Sequence, residues 1–202
     1  MFQFIVRQFD KIDFTYLGTG CIYSYEDEKK IFHENDSPNF FGSNYSIVKG
    51  FTNLLMNDTN ALHLRIRMPI TSEKNPRKFI TKITSYEKIC SIPSSMSVLD
   101  ELIPLAIHMM KEKIVGTINF TNPGVISHNQ ILQMYREIID PSFVWKNFTI
   151  EEQDKILLSK RSNNHLDTLL VEMIYIDLVR KYPYLVLNPI KEAVRKCLWN
   201  YQ

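Results

Sequence analysis

Short apolar runs at residues 14–17, 61–67, 89–92 and 116–121 alternate with longer stretches whose apolar residues recur at helical spacing. Strand and helix in repeated alternation place helices over parallel strands, so the chain reads as α/β with a parallel sheet. Helices are expected over 1–11, 45–56, 77–88, 99–112, 127–139 and 188–199, with the one at 99–112 broken near its start by Pro104. In 45–56 the apolar residues Val48, Phe51, Leu54 and Leu55 share one face. Ser127 with Gln130, and Thr149 with Glu152, have the spacing of capping boxes that open helices. Residues 25–43 read as a polar, acidic loop.

Charge excludes some partners. Net charge is only +2 and the Lys and Arg residues are scattered, whereas nucleic acid or an acidic membrane surface demands a clustered basic face. The apolar run at the N-terminus is too short for a signal peptide, and no stretch approaches the roughly 18 apolar residues of a membrane span. Cys21, Cys90 and Cys197 are odd in number, widely spaced and without a CxxC pair, which argues against a disulfide framework and for a reducing, cytoplasmic compartment. The histidines are isolated from one another, so no metal site is expected.

Two patterns carry chemistry. Tyr45 and Lys49 fall one turn apart on one helix face. An ammonium in that place favours a phenolate, which makes a tyrosine a usable proton donor. Tyr25 and Lys29 have the same spacing but lie in the acidic loop. Gly18-Thr19-Gly20-Cys21 ends the first apolar run, and a hydroxyl at the C-terminal edge of a parallel strand faces the crevice where open α/β sheets bind ligands. A Thr–Tyr–Lys group in that order is the short-chain dehydrogenase arrangement. The plainer reading makes Thr19 a turn cap and Tyr45 a surface aromatic.

Longer strings are more specific. Thr15-Tyr16-Leu17-Gly18-Thr19-Gly20-Cys21-Ile22-Tyr23, Leu64-Arg65-Ile66-Arg67-Met68-Pro69-Ile70, Asn75-Pro76-Arg77-Lys78-Phe79-Ile80-Thr81-Lys82-Ile83, Asn119-Phe120-Thr121-Asn122-Pro123-Gly124 and Arg161-Ser162-Asn163-Asn164 follow one another in register. Together they resemble the nucleotide-rhamnose synthases, epimerase-reductases of the extended short-chain dehydrogenase superfamily related to dTDP-4-dehydrorhamnose reductase. The resemblance implies a partial Rossmann-like sheet lacking its first strands over 1–125 and a mostly helical substrate-binding lobe over 126–202. It implies a UDP- or dTDP-linked 4-keto-6-deoxyglucose, inverted at carbons 3 and 5 and then reduced at carbon 4 with NADPH.

Cys21 and Lys82 match the epimerase acid/base pair in that resemblance. Tyr45 matches the proton donor of the reduction, Thr19 the carbonyl's hydrogen-bond partner, and Lys49 the tuning and ribose-binding cation. It further implies Met68 and Pro69, with Tyr45 and Lys49, against NADPH, and Asn75, Arg77, Arg161, Asn163 and Asn164 against the nucleotide sugar. Without the resemblance, Cys21 reads as a small buried residue, Lys82 as a solvated charge, His128 as structural and 161–164 as a polar loop.

The chain departs from the family in two places. Glycine stands at 18, 20, 42, 50, 116 and 124, so neither G-x-x-G-x-x-G nor G-x-G-x-x-G occurs. That fingerprint lets a pyrophosphate approach a helix N-terminus, and without it NADPH binding and hydride transfer are expected to be weak. Met1 falls in the helix before the fifth strand of the family fold, which leaves a sheet edge open to a second copy of the chain. Residues 169–178 form an apolar insertion, expected to cover core or form an interface. Two alternatives stay open: epimerisation without reduction, and a non-catalytic remnant that binds a nucleotide sugar or a partner chain.

Overall fold

The computed structural model describes residues 13–25, 30–57 and 59–201; the helix expected over 1–11 and the Tyr25–Lys29 pair fall wholly or partly outside them. Three strands form the central sheet: β1 (Thr15–Thr19), β3 (Leu62–Ile66) and β7 (Gly116–Asn119), in the order β1-β3-β7 and all parallel. Leu62 stands opposite both Thr15 and Gly116 in the register. Three separate parallel pairs of two-residue strands stand beside it: β2 (Ile31–Phe32) with β9 (His165–Leu166), β4 (Pro69–Ile70) with β6 (Ser97–Val98), and β5 (Lys88–Ile89) with β8 (Lys146–Asn147). The parallel α/β expectation holds. The pair β2–β9 ties the supposed loop 25–43 to the distant 161–166 segment, a contact too short to leave a periodic signal.

Seven helices lie in the described residues: α1 (Asn44–Met56), α2 (Phe79–Thr84), α3 (Leu99–Lys111), α4 (His128–Ile138), α5 (Ile150–Ile156), α6 (Leu169–Lys181) and α7 (Ile190–Trp199). Both expected capping boxes are present, at Ser127–Gln130 and Thr149–Glu152. Pro104 does not break α3, which runs unbroken through it. Proline's fixed φ is helical and its cost is the loss of one bond to the carbonyl four residues back. Fully buried Leu102, Leu105 and Met109 offset that loss. Helix α2 is far shorter than the 77–88 expected: the hydroxyls of Thr84 and Ser85 take up the carbonyls of Ile80 and Lys82 at 3.0 and 2.8 Å and close it. Lys88 then enters β5, so the strand expected at 89–92 is shifted and shortened.

The central strand β3 is buried on both faces, whereas Leu17 of β1 is exposed. Leu62 and Leu64 pack with Leu102, Leu105 and Met109 of α3 and Val171 and Leu178 of α6. Residues 169–178 therefore cover core through buried Val171 and Leu178, with Ile174 and Tyr175 packed against it. Leu169, Met173 and Ile176 stay exposed. The opposite face carries His63 and Arg65, buried beneath α1, whose Asn53 accepts from Arg65 Nε at 2.7 Å. Helix α1 thus sits the other way round from its apolar pattern. Ser46, Gly50, Asn53 and Met56 are buried, Asn53 against the sheet and Gly50 against Pro38, while Val48, Phe51, Leu54 and Leu55 are exposed. The sheet beneath is polar and tight, so small and polar residues match it better than leucines.

A second core joins Ile70, Ile80, Met96 and Val98 to Ile131 and Leu132 of α4 and Val194 and Leu198 of α7. Its tail helix was expected from 188 and begins two residues later.

Gly18 tests how tight the polar face is. A Cβ there would lie 2.0 Å from Nε2 of His63, whose ring is held between the Tyr16 ring and the Thr117 hydroxyl. Gly18→Ala is expected to cost about 1–3 kcal/mol by overpacking, read as a lower urea midpoint. An unchanged midpoint would show that His63 has room to move.

Candidate active site

Strand β1 ends at Thr19, and the chain turns sharply at once. Gly20 N donates to Ile66 O at 3.0 Å, and Cys21 N donates to Thr19 Oγ1 at 3.1 Å. The threonine hydroxyl is thereby turned to the backbone, as the turn-cap reading has it, and the turn sets Cys21 at the rim of a cavity. Asn164, wholly buried, donates through Nδ2 to the carbonyls of Gly20 and Tyr23 at 2.9 Å each and fixes this loop from below.

The cavity encloses about 690 Å³ and its wall includes Cys21, Tyr45, Met68, Lys82, Arg161 and Asn163. Tyr45 comes from the first turn of α1, opened by Ser43, whose hydroxyl accepts from Ser46 N at 3.1 Å. Lys82 comes from α2. The thiol at 21 and the ammonium at 82 thus share one cavity. Phe40, Phe79, Tyr86 and Phe148 supply aromatic wall. Lys82, Lys88, Lys160 and Arg161 supply positive charge, and no Asp or Glu stands among the described lining residues.

The remaining expected residues lie off this wall. Lys49 Nζ donates to the Tyr16 hydroxyl at 2.8 Å and stands 5.1 Å above the Tyr16 ring centroid, against 6.0 Å for that of Tyr45. Asn75 and Arg77 close the turn before α2, with Arg77 N donating to Asn75 Oδ1 at 3.0 Å and Arg77 exposed. Pro69 is exposed in β4. Asn164 is not among the lining residues, and its Nδ2 holds the loop beneath Cys21.

Three residues that sequence reasoning gave no role in the site sit at it. Arg67, 1% exposed, donates from Nη1 to Cys21 Sγ at 3.3 Å and to Ser162 Oγ at 3.1 Å, and from Nη2 to the Ser162 carbonyl. Ser162 Oγ donates in turn to the Tyr23 carbonyl. His128 lines the cavity with its ring 5.5 Å from that of Phe79 and with Nδ1 unpaired among the described residues. Burial, reinforced by the Arg67 charge, pushes its pKa down to about 4 and keeps the imidazole neutral. The run His63-x-Arg65-x-Arg67 was the available signal, since three basic side chains on one face of a strand need a reason to be there.

No family model matches the chain. The L780 protein of Acanthamoeba polyphaga mimivirus is 51% identical over 199 residues, covering 96% of this chain and 67% of that protein. Its crystal structure, that of a UDP-rhamnose synthase, superposes with a TM-score of 0.86 at 48% identity, over 98% of this chain and 68% of that one. The bifunctional dTDP-4-dehydrorhamnose 3,5-epimerase/dTDP-4-dehydrorhamnose reductase of Arabidopsis thaliana is 55% identical over 157 residues, 74% of this chain and 52% of its own length. The chain therefore spans about two thirds of the viral relative and about half of the plant one. A dTDP-4-dehydrorhamnose reductase from Yersinia enterocolitica shares the fold alone, with a TM-score of 0.69 at 17% identity over 99% of this chain and 71% of that one. With a Rossmann-like fold and a relative of this identity and coverage, the chain belongs to the UDP-rhamnose synthase family of nucleotide-sugar epimerase-reductases.

Proposed function

We propose that this chain carries the 3,5-epimerase chemistry of nucleotide-rhamnose synthesis, acting on a 4-keto-6-deoxyglucose linked to UDP. One observation carries the reading: Cys21 and Lys82 line a single cationic, aromatic-walled cavity. Protons beside a ketone are acidic enough to remove when a base and an acid flank the ring. One of the pair takes the carbon-bound proton, leaving an enolate; the other returns a proton to the opposite face, and both re-equilibrate with water before the next turnover. Tyr45 on the same wall is the donor for the enolate oxygen. Lysines and Arg161 suit a diphosphate, and the aromatic wall suits a base. The likeness to a UDP-rhamnose synthase favours UDP over dTDP.

NADPH fits these residues at one end only. Tyr45, more than half exposed, and Lys49 one turn on suit a ribose diol. The pyrophosphate needs bare backbone, yet the open sides of Gly18 and Gly20 are filled by His63 and by Leu166, which a Cβ would meet at 2.0 and 2.7 Å. No reduction step is assigned to these residues by themselves.

The test is exchange. Incubated with the 4-keto-6-deoxy sugar nucleotide in heavy water, the protein should incorporate deuterium at carbons 3 and 5 without added NADPH. A fluorescence titration with NADPH should show no saturation in the micromolar range. Absence of exchange removes the epimerase reading and leaves a nucleotide-sugar-binding module. Micromolar NADPH binding overturns the partial fit.

A further inference from the structure

Arg67 poses an electrostatic problem. Its guanidinium is buried, and among the described residues no carboxylate forms an ion pair with it. A buried cation without a counter-ion costs several kcal/mol, a cost that an anion forming beside it offsets. Its acceptors are the Ser162 hydroxyl and carbonyl, both neutral, and Cys21 Sγ at 3.3 Å, the one acceptor of the three that can become an anion.

We propose that Arg67 is a positioning residue that supplies the fixed counter-charge for the Cys21 thiolate. The inference rests on the reading of Cys21 as one half of the acid/base pair. When Cys21 hands its proton to the ring carbanion, the S–H bond breaks, a C–H bond forms and the electron pair stays on sulfur. The Nη1–H contact then becomes a charge-assisted hydrogen bond, shorter and stronger than the contact to the neutral thiol. No side chain has to move, because the guanidinium is already clamped from behind by Ser162.

That clamp does a second job. Ser162 lies between Arg161 and Asn163, both on the cavity wall, so one guanidinium sets the thiol and these two side chains relative to each other. The other ionisable groups around it add no competing negative charge of their own. His128 from α4 is held neutral, Lys82 from α2 carries no negative charge in either protonation state, and the Tyr25 hydroxyl donates to the Pro93 carbonyl at 3.2 Å.

The experiment reads Cys21 directly, without turnover. The intact chain is treated with iodoacetamide near neutral pH, and modification of the Cys21 and Cys90 peptides is followed by mass spectrometry. Both are partly exposed, so Cys90 serves as an internal reference. Cys21 is expected to react faster than Cys90. Arg67→Met should slow Cys21 by about tenfold, the worth of a hydrogen bond to a charged group, whereas Arg67→Lys should retain most of the rate.

Three results overturn the proposal: Cys21 reacting no faster than Cys90 in the unaltered protein, an unchanged or faster rate in Arg67→Met, or a rate in Arg67→Lys as low as in Arg67→Met. If Arg67→Met loses its near-UV circular dichroism, the unaltered protein and Arg67→Lys still decide. Arg67-dependent alkylation in a protein that exchanges no ring protons would end the epimerase reading and leave the counter-charge standing.

Discussion

Cys21→Ala is expected to slow deuterium incorporation into the sugar ring by about 10²- to 10⁴-fold, the usual worth of a positioned acid or base. The thiol lines the cavity and is only partly buried, so its loss should barely touch the fold. A turn held by Cys21 N on Thr19 Oγ1 and by Asn164 beneath it does not depend on sulfur. Thermal unfolding should accordingly stay within a few degrees of the unaltered protein, which separates a chemical loss from a structural one. Cys21→Ser keeps the size but offers a far weaker acid, and should behave like alanine. Exchange at the same rate in Cys21→Ala would mean that the proton is taken elsewhere on the wall, and the pairing with Lys82 would fail.

Acid should unfold this protein earlier than its carboxylates alone require. Burial, then the charges of Arg65 and Lys49, pushes the pKa of His63 down to about 3; burial, then Arg67, pushes His128 down to about 4. In the unfolded chain each recovers an ordinary value near 6.5, so below that pH the unfolded state binds more protons. Stability is complete above about pH 6.5 and falls as pH drops, by about 1.4 kcal/mol per unit for each histidine. Both contribute down to about pH 4, and His63 continues to about pH 3.

By about pH 5 the pair removes roughly 4 kcal/mol, a large share of the 5–15 kcal/mol that holds an ordinary domain together. Urea midpoints measured from about pH 7.5 to about pH 5 give the slope, and His128→Gln should halve it whatever its effect on absolute stability. A flat profile over that range would show that these rings are hydrated.

The chain's own pattern carried the parallel α/β class, the two capping boxes and the order of the main strands and helices. These are local matters: periodicity sets which residues face together, and a Ser or Thr three residues before Gln or Glu satisfies its own helix end. The strings around Cys21, Lys82 and Arg161 also pointed to one site before any coordinates, and the structure brings those three to one cavity.

Local pattern failed where a partner from far along the chain decided the outcome. Helix α1 reads as amphipathic with Val48, Phe51, Leu54 and Leu55 on one face, yet it buries Ser46, Gly50 and Asn53 instead, with Asn53 on Arg65. Asn164 reads as a ligand contact, and its amide nitrogen is engaged by the carbonyls of Gly20 and Tyr23, more than a hundred residues away.

Sequence by itself determined the fold class by its periodicity and the family by long strings of residues in register, and it named the side chains expected to react. Tertiary structure alone decided which face of α1 is buried and which cation stands behind the thiol. A buried charge must be met by whatever polar group packing brings within reach, and 46 residues of chain separate Arg67 from the sulfur it touches.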